Sequence, residues 1–254
     1  MGARVLALRC LAALLAVGAL LGCAREPRGG RSVLLGAENR VLLILPLNIA
    51  AAMPPELEYV SPIVWEELER YLRAQDRELK TVSRETARKL WIGSIKKVRA
   101  GAGPAGARAG FDDAARILAL ELQKHAAFDA MIAPSLFVRQ APIANRSASW
   151  DGVERELDFE ARGLEARSLV SATPLEGAAP AASLHVAVFD AQGNKILDAK
   201  GGLELLARVR VTGSDASGQP TFAFEARSDL FQDRDHVREG IGVAFAPLLP
   251  PLPE

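Results

Sequence analysis

Arg40-Val41-Leu42-Leu43-Ile44-Leu45-Pro46-Leu47-Asn48 is the stretch on which the fold turns. Five branched apolar residues, Val41 to Leu45, follow one another with no polar alternation. Side chains of a strand point alternately to its two faces, so a strand apolar at every position has no wet face. It belongs in the centre of a sheet covered on both sides by helices. Pro46, which has no N–H to give to a ladder, ends it.

Downstream, residues 47–60 read as a loop around Pro54-Pro55. Ser61-Pro62 then gives an N-cap followed by proline at the first helical position. Val64, Leu68, Tyr71 and Leu72 recur at helical spacing. Leu79 to Val82 is a short strand, and Ser83 caps a helix striped by Ala87, Trp91, Ile95 and Val98. GAGPAGARAG at 101–110 breaks it. Asp112 or Asp113 starts a third helix with Ala114, Leu118 and Leu122 on one face, and a strand follows at Ala130 to Val138. Residues 139–152 (RQAPIANRSASWDG) read as a polar, turn-rich loop, and Arg155 to Arg162 as a half-buried strand. Ser183 to Phe189 and Lys195 to Val211 flank Asp190-Ala191-Gln192-Gly193-Asn194, a hairpin signal. Thr221 to Glu225 is a further strand, and Asp233 to Phe245 a final helix that Gly240 and Gly242 weaken. Early crossovers followed by hairpins predict an α/β fold. The expected architecture is a mixed sheet with a central parallel portion, helices packed on it, and an antiparallel hairpin in the C-terminal half.

Composition excludes several function classes. The chain of 254 residues carries 31 Lys+Arg against 31 Asp+Glu, a formal net charge of zero, and only 6% aromatics. Neither the basic footprint nor the stacking platforms of a general nucleic-acid binder are there. Two cysteines are too few for a disulfide scaffold or a cysteine-rich zinc site.

The N-terminus reads as an address. Arg4 and Arg9 precede the uncharged run CLAALLAVGALLG, Cys10 to Gly22, the charged and apolar regions of an export signal. Its 13 residues are short of the ~20 that span a bilayer. The run ends in Leu20-Leu21-Gly22-Cys23, which resembles the lipobox of bacterial lipoproteins, with Leu21 where Ala, Ser, Thr or Val is more usual. The resemblance implies cleavage after Gly22, a diacylglycerol on the Cys23 sulfur and acylation (palmitate or similar) of the new N-terminus. Two acyl chains already anchor stably, at ~0.8 kcal/mol per buried CH₂. The division expected is a signal peptide at 1–22, lipidated Cys23 with a tether to residue 39, and a single α/β domain at 40–254. Ala24 stands where an Asp would retain such a protein in the inner membrane, so the resemblance points to the outer membrane, facing the periplasm.

VLLILPLN with its following helix, then LKTVSRETA, then Phe128-Asp129-Ala130-Met131-Ile132-Ala133 and the turn Asp190 to Gly193, resemble a bacterial envelope group. That group comprises the curli-secretion lipoprotein CsgG, the penicillin-binding-protein activator LpoB and the N-terminal domain of TolB. It implies a non-catalytic α/β domain that docks an envelope partner or self-assembles. Residues 139–170, the only candidates for membrane-inserted hairpins, are too charged for several ~10-residue lipid-facing strands.

No residue set reads as catalytic. His236 lies near Asp229, Asp233 and Asp235, a loose metal-like cluster better explained by Asp at a helix start. His185 reads as a sheet residue and His125 as a helix end; Ser61, Ser83 and Ser135 lie outside any nucleophile elbow. Glu66/Glu67 and Asp112/Asp113 read as solvated faces or caps. The expectation is therefore no enzyme and no cofactor. The partners expected are the membrane through the lipid anchor, and an envelope protein or a second copy of the chain. The alternative is a hydrolase acting on a wall polymer. The partner surface is placed at Asn48, Met53 and Tyr59 on the loop after the central strand, and at Trp150 on the 139–152 loop.

Overall fold

A computed structural model describes residues 41–101, 110–144, 146–160, 175–216 and 219–249. Residues 1–40, with Cys23 and its lipobox, lie outside the described residues. Strand β1 (Val41–Ile44) is followed by a single helical turn α1 (Pro55–Glu58), helix α2 (Ser61–Arg73) and strand β2 (Glu78–Thr81). Helices α3 (Arg84–Gly101) and α4 (Phe111–Gln123) lead to the long strand β3 (Ala130–Ala144). Strands β4 (Ser147–Trp150), β5 (Val153–Glu156), β6 (Phe159–Glu160), β7 (Gly177–Asp190), β8 (Lys195–Leu205), β9 (Ala207–Ser214) and β10 (Pro220–Ala226) precede the last helix, α5 (Arg234–Phe245).

The main sheet has seven strands, with β1 parallel to both neighbours, β2 and β3. The antiparallel hairpin β7–β8 extends it beyond β3, and the far end of β3 also pairs with β4, which pairs with β5. Strands β10, β9 and β6 form a small second sheet. The α/β class, the mixed sheet and the C-terminal hairpin are as the sequence predicts.

The both-faces argument for β1 holds residue by residue. Leu42 and Ile44 are fully buried in one core with Val64, Leu68 and Leu72 of α2 and Val237, Ile241 and Phe245 of α5. Leu43 and Leu45 point the other way, into a second core with Trp91 of α3 and Ala114, Leu118 and Leu122 of α4. A third core at the far end of β3 holds Ile143, Trp150, Val153, Leu205 and Val209.

Local signals read differently once tertiary partners are present. Residues 139–152 are not a loop: β3 runs on to Ala144 and β4 takes up 147–150. The polar residues deceived because this part of the sheet has one wet face, which takes Gln140, while Arg139 on the opposite face is paired with Asp151. Ser61 does not cap α2; its hydroxyl donates to the Glu58 carbonyl at 2.9 Å, and the chain enters through Val60. Ser83 does cap α3, accepting from Thr86 N at 3.2 Å. Asp112 and Asp113 lie in the first turn of α4, behind an extended Gly110. The strand read at Arg155 to Arg162 is divided between β5 and β6, which belong to different sheets; its end falls outside the described residues.

Gly240 is a contact, not a weakness. A Cβ there would stand 2.1 Å from the Gly202 carbonyl oxygen, and one on Gly201 would stand 1.8 Å from the Gly240 oxygen. Helix α5 therefore meets β8 backbone to backbone, which only glycine on both sides permits. Gly242, two residues on, has nothing within 4 Å.

Candidate functional site

In an open sheet, ligand clefts form at the carboxyl ends of strands where successive connections leave in opposite directions. Here that place lies between β1 and β3: α2 returns the chain to β2 over one face, and α3–α4 carry it to β3 over the other. The crevice is filled by the chain itself. Beyond β1, Leu45 N donates to Ile132 O at 2.9 Å and Asn48 N to Pro134 O at 3.1 Å, continuing the pairing along β3. Asn48 then adopts φ 58°, a left-handed conformation that asparagine tolerates better than most residues. Its side chain copies a strand neighbour: Nδ2 donates to Leu136 O at 2.9 Å, and Oδ1 accepts from Leu136 N at 2.7 Å. Nδ2 also reaches Ala52 O at 3.2 Å, tying down the loop's far limb.

Two grooves flank this seal and share Arg84. One, about 350 Å³, is lined by Pro46, Leu47, Ser61, Pro62, Trp65 and Arg84. The other, about 480 Å³, lies between residues 48–53 and the α3 side chains Arg84, Arg88, Trp91, Ile92 and Ile95. Arg84 Nη2 donates to Leu47 O at 3.1 Å, which fixes its guanidinium on the wall between them. Tyr59 stands on the same loop, 60% exposed. An apolar cleft with a fixed arginine suits the insertion of an apolar side chain beside an acceptor or an anion. Among the described residues that line either groove, no acid–base pair or activated nucleophile is assembled.

The four residues expected on a partner surface separate. Tyr59 is exposed, and Met53 is half-buried against the first core. Asn48, at 6% exposure, is a structural bracket, not a contact residue. Trp150, at 4%, is a core residue: its indole N–H donates to Ala182 O at 3.2 Å, and its ring fills the space that a Cβ on Gly202 would enter. An aromatic of ~150–250 Å² is better buried than wet when its one polar atom finds a partner. Burial removes Trp150 and Asn48 from the expected surface; Met53 and Tyr59, near the loop after β1, are the two of the four that reach solvent.

The acid-rich segment near His236 is a helix cap. Asp233 accepts from Asp235 N at 2.9 Å and His236 N at 3.4 Å, and the backbone bond from Asp235 holds its carboxyl below the ordinary value. Asp229 is likewise lowered, first by its hydrogen bond from Arg227. His236 Nδ1 lies 3.7 Å from the buried Glu204, which Arg227 contacts at 3.0 Å. Among the described residues no three His, Cys, Asp or Glu side chains gather in a form able to hold a metal ion. His185 hydrogen-bonds Asp198 at 2.7 Å on the wet edge of the β7–β8 hairpin.

One charged group escapes a reading by composition. Glu67 is only 1% exposed, whereas Glu66 beside it is open to solvent. Arg70 from its own helix and Arg234 and Arg238 from α5 surround it, at 2.5, 3.3 and 3.2 Å. Burial pushes the Glu67 carboxyl up, and the hydrogen bonds and charges of Arg70 and Arg238 more than reverse this, leaving it below its ordinary value. The clamp fixes α2 to α5. Its signal was in the sequence: Glu67 lies three residues after Val64 and four before Tyr71, on the stripe that faces the core.

No known family model matches the chain, and a search of characterised proteins returns no significant match. Among the described residues, no helix is long and apolar enough to cross a membrane.

Proposed function

We propose that this protein is a non-catalytic envelope lipoprotein, anchored through acyl chains on Cys23, whose periplasm-facing α/β domain docks an envelope protein or a second copy of itself in assembly or secretion. The observation that carries this reading is the charged, then apolar N-terminus ending in Leu20-Leu21-Gly22-Cys23. The resemblance to the CsgG, LpoB and TolB group supports the docking role. The self-sealed crevice at β1/β3 supports it further, since the place where such sheets take small ligands is occupied by Asn48 and its loop. The docking surface in this reading is the groove lined by Pro46, Leu47, Pro62, Trp65 and Arg84, together with the exposed Tyr59 three residues before Pro62.

A photo-crosslinking side chain placed at Tyr59 in the acylated protein, in cells, tests the proposal. One discrete adduct is expected, lost in an Arg84→Ala, Trp65→Ala variant that still folds. Crosslinks no different from those of a probe on the opposite sheet edge would remove the docking surface. Hydrolysis of peptidoglycan or ester substrates by the purified protein would replace the reading with the hydrolase alternative. Absence of acyl label on the wild-type chain, or its persistence in Cys23→Ala, would remove the anchor.

A further inference from the structure

Among the described helices, α3 is the most one-sided in charge. Six of its 18 residues are Arg or Lys, and one, Glu85, is acidic. After removal of a 22-residue signal, the rest of the chain holds 23 basic and 30 acidic residues, so α3 is a cationic strip on an acidic protein. Three of the six cations, Lys89, Lys96 and Arg99, lie with Ile92 on the side away from the core. Arg88, at Ile92's shoulder, is exposed as well. Ile92 is 44% exposed, with Arg88 and Lys89 one turn before it and Lys96 one turn after. Among the described residues none of Arg88, Lys89, Lys96 and Arg99 makes an ion pair, whereas Lys97, turned toward α4, is held by Glu121. Cations left unpaired around an exposed branched side chain favour a surface of anionic headgroups over water. The charges meet phosphates and the apolar residue enters the headgroup layer.

The tether fits this occupant. Lys97 meets Glu121 near the carboxyl end of α4, the chain turns within a few residues, and Asp129 then accepts from Val41 N at 2.8 Å. The carboxyl half of α3 therefore lies toward the end of the sheet where the tether joins β1. Residues 24–39 span at most about 50 Å from an anchor at Cys23, so the strip stays within reach of the bilayer.

The geometry points to the outward face of α3 as a membrane-docking surface that takes anionic phospholipid headgroups and lays the domain against its own bilayer. This rests on the lipoprotein reading for its access to a membrane, but it is measured without the anchor. The mature chain with Cys23→Ala keeps every described element, all of which lie within 41–249. It is expected to co-sediment with vesicles of phosphatidylglycerol and phosphatidylethanolamine at low ionic strength, to release in high salt, and to ignore phosphatidylcholine. Each cation removed lowers binding roughly fivefold, so Lys89→Gln with Lys96→Gln lowers it about 25-fold. Because both side chains are exposed, the melting temperature is expected to stay where it was. No binding to anionic vesicles, equal binding to phosphatidylcholine, or no response to the double substitution overturns the surface. Retention on purified peptidoglycan in preference to vesicles assigns the strip to an anionic wall polymer and also overturns it. Loss of acyl label from the wild-type chain would remove the anchor alone and leave the vesicle result standing.

Discussion

Replacing Gly240 and Gly242 in turn by alanine sets helix propensity against packing within one turn of α5. Propensity alone favours alanine by about 0.8–1 kcal/mol at either position. At Gly242 nothing opposes the new methyl, which finds no atom within 4 Å, so Gly242→Ala should be more stable by up to about 1 kcal/mol. At Gly240 the methyl would sit 2.1 Å from the Gly202 oxygen and 2.8 Å from Leu203 Cδ2. The first obstacle is backbone, so α5 must lift off β8 by roughly 1 Å to restore ordinary contact. That lift opens the packing of Val237, Ile241, Ala244 and Phe245, all fully buried. Overpacking of this kind costs about 1–3 kcal/mol or more, and a rigid partner places it at the upper end. After the propensity gain, Gly240→Ala should be less stable by about 2 kcal/mol. For a chain of this size that is a fall of roughly 4–8 °C in Tm, against a rise of roughly 2–4 °C for Gly242→Ala. Thermal unfolding of the two variants, followed by circular dichroism, reads the difference directly. Equal shifts in the same direction would show that α5 does not approach β8 through its backbone, and the account of the glycines would be wrong.

Asn48→Ala leaves the N–H and C=O of Leu136 without their buried partners and puts alanine at φ 58°; a loss of about 2–4 kcal/mol is expected in urea unfolding, and a neutral result would show that the β1/β3 crevice is not sealed by this side chain. Trp150→Ala is expected to cost about 3–5 kcal/mol, while Tyr59→Ala leaves the unfolding midpoint unchanged; the reverse order would return Trp150 to the surface. Because the folded Glu67 carboxyl is held below its unfolded value near 4.5, its contribution is full above that pH and is lost as pH falls through the folded value. Glu67→Gln should therefore flatten the acid limb of stability below pH 4.5, and an unchanged pH profile there would mean that the three arginines do not hold a carboxylate.

What could be read from the sequence was what depends on neighbours along the chain. Val41 to Leu45 has no polar position on either face, so burial on both sides follows from strand period alone, and two separate cores take up its alternate residues. The Ser83 cap, the stripe of α4 and the Asp190 to Gly193 hairpin turn are likewise local, complete within a few residues. The tertiary structure decided whatever depends on residues that are distant in sequence. Asn48 reads as a loop asparagine until Leu136, 88 residues away, offers both backbone groups to its amide. Trp150 reads as an exposed anchor until β7 supplies a carbonyl for its N–H and Gly202 makes room for its ring. Gly240 reads as a helix breaker until Gly202 arrives beneath it, and Glu67 as a wet acid until α5 brings two arginines to it. In each case the side chain's local preference is worth about 1 kcal/mol or less, and a long-range partner that fills a space or satisfies a buried polar group outweighs it.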